Sequence, residues 1–314
     1  MGADRTITPG SPLVVAIFGP TASGKSAVAE AVADGLGTEV VSADAMQVYR
    51  GLPLLTNQPE RPTRLVAIRE LGEEMSVGAY APLAHAAIDE LVRERGVAVV
   101  TGGTGLYLRA ALGELRVPPP AAGGVRARIE AEYDRDPADA YARLHRLDAR
   151  AAAAVHENDR RRVVRALELA EAGATLVSDD DRLWSRHMRL PTLQFGLDVA
   201  PSTLEQRIRD RTRTMFERGV AREVAGALAA PVSRTAAKTL GLAEIAGLSP
   251  QEAEERIVVR TRRYAAYQRK WMRRIPDLAI VDGNRPPGEV ASAIVRAVAA
   301  ARSALSRGAL VVSG

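Results

Sequence analysis

The chain has 314 residues, of which 46% are hydrophobic, and this is enough apolar material for one large core and a smaller second one. It contains no cysteine, which excludes disulfides and thiolate metal or redox sites and fits a reducing compartment. No apolar run reaches the roughly 18 residues of a membrane span, and no secretory segment is recognisable, so we expect a cytoplasmic protein that does not enter membranes. The 43 Lys and Arg against 38 Asp and Glu give a net charge of +5, which favours an acidic partner.

Five short apolar runs predict β-strands, and helical stretches separate the first three of them. The runs cover residues 13–18, 38–42, 97–101, 192–197 and 278–281. This alternation is typical of an α/β fold with a parallel sheet covered by helices on both faces.

Strand signals are missing between residues 117 and 191, where the composition becomes rich in Arg and Ala after Pro118-Pro119-Pro120. We therefore predict a discontinuous core, residues 13–116 and 192–305, and a mainly helical insertion at 117–191. Residues 1–12 and 306–314 are expected to be flexible tails.

The first predicted strand leads into a phosphate-binding loop of the form G-x-x-x-x-G-K-S, and a helix-forming segment follows it. Its residues are Gly19, Pro20, Thr21, Ala22, Ser23, Gly24, Lys25 and Ser26. The two glycines permit backbone conformations in which successive N–H groups point at phosphate oxygens. Lys25 adds a cation, and the Ser26 hydroxyl is a candidate Mg²⁺ ligand. The loop predicts a P-loop NTPase-like sheet without specifying which polyphosphate binds.

Asp44 and Thr104 follow the second and third predicted strands, at the end of the sheet where α/β proteins bind ligands. Phosphate loops that hydrolyse nucleotides usually have an Asp at the end of a second buried strand. The strand at 97–101 runs instead into Gly102-Gly103-Thr104-Gly105. One carboxylate and one hydroxyl suit proton transfer better than nucleotide hydrolysis. Two structural roles stay open: Asp44 as a helix cap, and Thr104 as a turn hydroxyl bonded to its own backbone.

A second positively charged region lies between residues 256 and 274, where aromatic residues are interleaved with basic ones. At helical spacing, one face of this segment carries Arg256, Arg260, Arg263, Lys270 and Arg274. Such a face can follow a nucleic-acid backbone while aromatic rings receive unstacked bases. An ordinary solvated helix face is the alternative.

Five motifs in this order resemble those of the tRNA dimethylallyltransferases. They are the phosphate loop at 19–26, Ser42-Ala43-Asp44-Ala45-Met46-Gln47-Val48-Tyr49, Gly102-Gly103-Thr104-Gly105-Leu106-Tyr107, residues 158–168, and Thr261-Arg262-Arg263-Tyr264 with Gln268 and Trp271.

The resemblance implies that the loop holds the diphosphate of dimethylallyl diphosphate with Mg²⁺, and that Asp44 takes a proton from the N6 amine of an adenosine beside the tRNA anticodon. Thr104 would align that amine. The backbone amides of residues 21–26 would hold the diphosphate in line, and Lys238 would be a second cation for it. We expect a monomer.

For tRNA contact, the resemblance implies two groups of residues. Near the site, they are Asp44, Ala45, Met46, Gln47, Thr104, Gln268 and Trp271. In the insertion, which would grip the anticodon stem-loop, they are Arg126, Arg161, Arg162, Val163, Val164 and Arg165. The helical pattern of residues 158–168 predicts that Arg161, Arg162 and Arg165 are exposed and that the valines point inward.

The chain departs from the family pattern at four places: Ala45, Thr63-Arg64, Gly241-Leu242-Ala243-Glu244 and Ala266-Tyr267-Gln268. At the third of these the family has Gly-Tyr-Lys-Glu, so Ala243 replaces a lysine. None of the four lies in the phosphate loop or at Asp44 or Thr104.

Two other functions stay open at this stage: a small-molecule phosphotransferase with the same loop, and a non-catalytic RNA-binding protein that keeps the loop as an anion site. Turnover of ATP without RNA would identify the first. Retention of Asp44, Thr104, Lys25 and Ser26 together argues against the second. Prenylation of free adenine nucleotides is disfavoured because it would not need the insertion.

Overall fold

The computed structural model describes residues 12–114, 124–177 and 187–306. The first and last of these ranges belong to one compact unit, and the middle range belongs to a second, smaller one. The predicted tails lie outside the described residues, except for residues 12 and 306, and so does Pro118-Pro119-Pro120. In the three described ranges, no helix is long and apolar enough to cross a membrane.

The larger unit is built on a five-stranded sheet in which every neighbouring pair of strands is parallel. The strands are β1 (Leu13–Phe18), β2 (Val40–Ser42), β3 (Val97–Gly102), β4 (Thr192–Asp198) and β5 (Ala279–Asp282), in the spatial order β2-β3-β1-β4-β5. The predicted α/β class and its parallel sheet are confirmed.

Helices surround the sheet and also form the smaller unit. Those within the described residues are α1 (Lys25–Leu36), α2 (Val77–Arg95), α3 (Gly105–Leu112), α4 (Val125–Arg135), α5 (Pro137–Leu147), α6 (Ala149–Ala154), α7 (Arg160–Glu171), α8 (Pro201–Glu217), α9 (Val220–Ala227), α10 (Leu242–Gly247), α11 (Pro250–Met272) and α12 (Pro287–Ser306).

Strand β1 is buried along its whole length because both faces of the sheet are covered. Its even-numbered residues, such as Val14 and Phe18, pack into one apolar cluster together with residues of α2 and α3. Its odd-numbered residues, such as Val15 and Ile17, pack into another with residues of α1 and α12. Successive side chains of a strand point to opposite faces, so an unbroken apolar run is what a doubly covered strand requires.

Helix α11 begins at a capping box and carries its C-terminal half to the carboxyl edge of the sheet. The Ser249 hydroxyl accepts a hydrogen bond from the Glu252 N–H, the Glu252 carboxylate accepts one from the Ser249 N–H, and Pro250 occupies the first turn. The buried face of the helix includes Ile257 and Gln268. Gln268 therefore lies inside the unit, although it follows a predominantly basic segment.

The smaller unit is a bundle of α4 to α7 with its own apolar core. Asp159 caps α7, because its side chain accepts a hydrogen bond from the Arg162 N–H. Val163 and Val164 on α7 are fully buried in this core. Their side chains stabilise the bundle and offer no surface to RNA, which corrects their prediction as direct tRNA contacts.

Candidate functional site

Three neighbouring strands end at the same edge of the sheet, and each is followed by a residue singled out in the sequence. The phosphate loop follows β1, Asp44 follows β2, and Thr104 follows β3. Because β3 lies between β1 and β2, the three segments converge at one edge.

The phosphate loop adopts an anion-binding conformation. Gly24 has φ of 86° and Ala22 has φ of 64°, both left-handed. At Gly19, a Cβ would lie 2.5 Å from the buried Ser23 Oγ, so a larger residue there would require the Ser23 hydroxyl to move. The loop leads directly into α1, whose first N–H groups add the positive end of the helix dipole.

Two loop amides that we predicted to hold the diphosphate are already used within the protein. The Thr21 N–H donates to Gln268 Oε1 at 2.7 Å, and the Ser23 N–H donates to the Pro20 carbonyl at 3.1 Å. The open donors are the amides of Ala22, Gly24, Lys25 and Ser26, which bond to no carbonyl among the described residues. The prediction that the amides of residues 21–26 hold the diphosphate is therefore wrong for Thr21 and Ser23, and it stays a prediction for the other four, which we call the anion cradle.

Lys25 and Ser26 begin α1 at the centre of this cradle, and both are partly buried. Burial lowers the pKa of Lys25; the negative charge of Asp44 raises it in part, and the positive charge of Arg211 lowers it further. Lys25 is thus a poorly solvated group placed between an acid and a cation, and an anion bound in the cradle would raise its pKa.

Helix α8 supplies two arginines to the loop that the sequence analysis missed. Arg207 donates to the Ser23 carbonyl at 3.3 Å, and Arg211 donates to the Thr21 hydroxyl at 3.1 Å. Burial also lowers the pKa of Arg211, against the opposing effect of Asp44, although the guanidinium stays charged at neutral pH. Lys238, the predicted second cation, has an exposed side chain at the end of a short 3₁₀ helix, Ala236–Lys238.

Asp44 combines a local structural bond with a free oxygen. Its Oδ1 accepts hydrogen bonds from the N–H groups of Met46 at 2.9 Å and Gln47 at 3.4 Å. Its Oδ2 has no hydrogen-bond partner in the described part of the chain. The capping role and the role as a base are therefore compatible, because one oxygen fixes the carboxylate and the other stays available.

The Thr104 hydroxyl bonds to another side chain rather than to its own backbone. It lies 2.9 Å from the Tyr264 hydroxyl, which α11 supplies. Burial and the charge of Asp44 raise the pKa of Tyr264 to about 12, so this hydroxyl keeps its proton at neutral pH. Thr104 and Tyr264 form a neutral hydrogen-bonding pair next to the carboxylate.

Gln268 joins the phosphate loop to the segment after β3. Its Oε1 accepts from the Thr21 N–H, and its Nε2 donates to the Gly103 carbonyl at 2.7 Å. The side chain is 3% exposed. We predicted Gln268 as a tRNA contact; because both ends of its buried amide are bonded to backbone, it is a brace that positions the site.

The other residues that we predicted to contact tRNA near the site are only partly accessible. The Gln47 amide accepts from the Ser42 hydroxyl at 2.9 Å and donates to the Asn57 carbonyl at 2.8 Å, so it fixes the segment after β2. Ala45, Met46 and Trp271 are half-buried. The Trp271 ring lies so close to Gly105 that a Cβ there would be 2.0 Å from it.

In the smaller unit, the predicted arginines fall into two groups. Arg126 and Arg165 each bind one oxygen of the buried Glu168, both at 3.0 Å. Arg161 and Arg162 are exposed. Arg162 lies 3.9 Å from the Asp159 carboxylate, and Arg161 has no acidic partner at ion-pair distance within the described residues. Arg126 and Arg165 stabilise the bundle.

The predicted basic face of α11 is present. Four of its residues, Arg256, Arg260, Arg263 and Lys270, are exposed on α11, and the fifth, Arg274, is exposed just after the helix ends at Met272. The Tyr267 ring, which is 55% exposed, packs edge-on against Trp271 with ring centroids 6.5 Å apart. The opposite flank of the helix is neutralised, because Arg262 pairs with Glu205 and Arg269 with Asp198.

The fold and the site together define a phosphate-loop α/β protein in which an anion cradle lies beside a carboxylate with one free oxygen. The sequence itself specifies the family: the profile of the IPP transferases matches residues 47–275, and that of the isopentenyl transferases matches residues 12–63. The chain belongs to the IPP transferase family.

Individual proteins agree with this assignment. A tRNA dimethylallyltransferase of Salinispora arenicola is 39% identical over 92% of this chain and 87% of its own length. The full-length tRNA isopentenylpyrophosphate transferase of Bacillus halodurans superposes with a TM-score of 0.68 at 27% identity, covering 95% of this chain and 99% of its own. A eukaryotic dimethylallyltransferase, crystallised while acting on tRNA, superposes with a TM-score of 0.72 at 25% identity. This match covers 95% of this chain and 85% of the eukaryotic protein.

The contact between Arg211 and Thr21 predicts that Arg211 contributes to the affinity of the loop for diphosphate. Arg211→Ala should weaken the binding of inorganic diphosphate about tenfold to a hundredfold, since charge-assisted hydrogen bonds contribute about 1.5–3 kcal/mol. Titration calorimetry measures this affinity. Arg209→Ala is the matched control, because Arg209 is exposed on the same helix and pairs with Glu205. Equal affinities for the two variants would exclude Arg211 from the anion site.

Proposed function

We propose that this chain transfers a dimethylallyl group from dimethylallyl diphosphate to N6 of the adenosine 3′ of the tRNA anticodon and releases diphosphate. The observation that carries the proposal is the Asp44 carboxylate, whose free Oδ2 lies in a site where its charge acts on Lys25 and Arg211. A base beside an anion cradle is what this transfer requires. The names of the relatives, which are dimethylallyltransferases that act on tRNA, support tRNA as the acceptor and a dimethylallyl group as the group transferred.

In the proposed step, the N6 nitrogen forms a bond to C1 of the dimethylallyl group while the bond from C1 to the diphosphate oxygen breaks. The electron pair of the broken bond leaves with the diphosphate, and the N6 proton moves to Oδ2 of Asp44. The amine is a weak nucleophile because its lone pair is delocalised into the adenine ring. Removing its proton as the new bond forms lowers the barrier.

The protein groups around the leaving diphosphate stabilise the charge that grows on it. The open amides of the cradle, with Lys25 and the guanidinium of Arg211, are held in place before the reaction. Preorganised donors of this kind stabilise a developing negative charge without the cost of reorganisation. Thr104 and Tyr264, bonded to each other, would orient the adenine amine toward Asp44.

The Ser26 hydroxyl fits a Mg²⁺ ion bound mainly through the diphosphate. It is partly buried at the start of α1, and within the described residues it has no hydrogen-bond partner. The described residues contain no group of three acidic or histidine side chains that could hold a metal. Mg²⁺ typically takes few protein ligands together with phosphates and water. When bound, it would neutralise charge on the leaving diphosphate.

For the RNA, the proposal uses the exposed arginines Arg161 and Arg162 of the smaller unit and the basic face of α11 in the larger unit. Arg161 on the first surface, and Arg256, Arg263 and Lys270 on the second, have no acidic partner at ion-pair distance within the described residues. Exposed cations of this kind bind phosphates. We propose that a single chain is sufficient and that it acts in the cytoplasm on the anticodon stem-loop.

The test is a reaction of the protein with dimethylallyl diphosphate, Mg²⁺ and unmodified tRNA, followed by mass analysis of the digested nucleosides. We expect N6-dimethylallyl adenosine at the position 3′ of the anticodon. Recovery of unmodified adenosine alone from a full tRNA pool would overturn the proposal. A parallel reaction with ATP and no RNA should give no turnover, whereas turnover there would point to a phosphotransferase.

A further inference from the structure

A pocket of about 470 Å³ lies between α10 and the first half of α11, outside the site described above. We call it the α10–α11 pocket, and its lining residues are Ala243, Glu244, Gly247, Leu248, Arg256, Val259, Arg260 and Arg263. All of them belong to the larger unit.

The pocket carries excess positive charge. Arg260 is bound by the carboxylate of Glu244, a residue that is 8% exposed. Arg256 and Arg263 are exposed and have no acidic partner at ion-pair distance within the described ranges. Of the three guanidiniums, one is compensated and two are available to an outside anion. Exposed guanidiniums bind phosphate with two parallel hydrogen bonds, so a phosphodiester is the anion that they suit best.

Apolar surface lies beside these charges. Leu248 is 38% exposed and Val259 is 42% exposed, and both line the same pocket. Ala243, which has a short apolar side chain, also lines the pocket. Cationic groups next to an apolar surface match a nucleotide, which combines a charged phosphate with a ribose and base that bury apolar area.

Helix α11 connects the pocket directly to the catalytic residues. Tyr264, which contacts Thr104, immediately follows Arg263. Along a helix axis that rises about 1.5 Å per residue, the two free arginines lie roughly 7 and 18 Å before Gln268. Such distances place the pocket within reach of an RNA strand whose reactive nucleotide occupies the site.

We propose that the α10–α11 pocket binds one single-stranded nucleotide of the RNA substrate, close to the nucleotide that is modified but distinct from it. Arg256 and Arg263 hold its phosphodiester, and its ribose or base packs on Leu248 and Val259. This inference rests on the proposed function, because it takes RNA as the substrate, and it adds a nucleotide subsite outside the catalytic centre.

The test is a double-mutant cycle on binding affinity that combines protein variants with modified anticodon stem-loop RNAs. In each modified RNA, one phosphate is replaced by a neutral methylphosphonate. The variants are the double substitution Arg256→Ala/Arg263→Ala and the control Arg262→Ala, which removes a paired arginine from the opposite flank of the same helix. For the unchanged protein, neutralising a loop phosphate bound by the pocket should weaken binding about tenfold. In the double variant the same replacement should have no effect, because the phosphate has already lost its partners.

Two further measurements accompany the cycle. The slope of log affinity against log salt should fall by about 0.7 in the double variant, because the two arginines together hold one phosphate of a single strand. Val259→Glu, at an exposed position, keeps both arginines but brings a carboxylate into the pocket, and it should also weaken RNA binding about tenfold. Unchanged affinity for inorganic diphosphate verifies that each variant is folded.

The proposal is overturned if every methylphosphonate affects the double variant as much as the unchanged protein, or if Arg262→Ala reproduces the losses. Failure of the proposed function is detected separately. In that case the unchanged protein would bind the stem-loop without forming modified adenosine, and the cycle on binding would still decide whether the pocket holds a nucleotide.

Discussion

Asp44→Asn is expected to lower the single-turnover rate of dimethylallyl transfer by on the order of 10²-fold or more, while tRNA and dimethylallyl diphosphate still bind. An amide cannot accept the N6 proton at neutral pH. Its oxygen can still accept the hydrogen bonds that Asp44 Oδ1 receives from Met46 and Gln47, so the segment after β2 should keep its conformation. The loss should therefore appear in the chemical step.

The negative charge of Asp44 leads to a different expectation for the affinity of the protein for dimethylallyl diphosphate. Because the carboxylate attracts Lys25 and Arg211, it also repels an anion in the cradle. Removing it should leave the affinity for dimethylallyl diphosphate unchanged or slightly raised. A mutation that simply damaged the site would lower the rate and the affinity together.

Rapid-quench measurement of one turnover, together with equilibrium binding of each substrate, separates these outcomes. Asp210→Asn is the matched control, since Asp210 is an exposed aspartate of α8 whose carboxylate accepts hydrogen bonds from Gln206. A near-normal single-turnover rate for Asp44→Asn would mean that this carboxylate only holds the segment after β2 in place. A different group would then have to accept the N6 proton.

The parts of the molecule that sequence could predict are those that depend on local patterns. Runs of four to six residues located all five strands within one or two residues of their ends. The signal is clearest for β1, because a strand buried on both faces is continuously apolar. The spacing of the glycines and the lysine located the phosphate loop, because the loop needs these residue types at fixed positions along a short segment. Helical spacing also predicted the exposed Arg161 and Arg162 of α7 and the exposed arginines of α11, but it was wrong for Arg165, which is half-buried against Glu168.

The missed features depend on contacts between distant segments. Arg207 and Arg211 reach the loop across 184 and 190 residues, and α8 carries other arginines, such as Arg209 and Arg213, at equivalent spacing. Periodicity indicates which residues share a helix face, but the packing of α8 decides which face meets the loop. Gln268 was misassigned for the same reason, since it contacts Thr21 across 247 residues.

Lys25→Ala is the other change with a large expected effect, and it should affect both binding and chemistry. Lys25 would contact the diphosphate before and during its departure, so its loss should weaken dimethylallyl diphosphate binding about tenfold or more. The chemical step should slow by on the order of 10²-fold, because charge on the leaving group grows in the transition state. Equilibrium binding and single-turnover rates measure the two effects separately.

The same lysine predicts a pH dependence. Since burial lowers its pKa in the free protein, Lys25 loses its proton at a lower pH than an exposed lysine does. An anion binds the protonated form better, so the affinity for diphosphate should fall as the pH rises through this lowered pKa. Lys25→Ala should lack that fall, whereas Lys25→Arg, which stays charged, should shift it to higher pH.

Lys238→Ala provides the comparison with an exposed lysine. With Arg207 and Arg211 seated on the loop, we expect this variant to bind diphosphate as the unchanged protein does and to show the same pH dependence. If Lys238→Ala weakened diphosphate binding as much as Lys25→Ala does, the prediction of Lys238 as the second cation would be restored. The segment after the 3₁₀ helix would then have to move toward the loop when diphosphate binds.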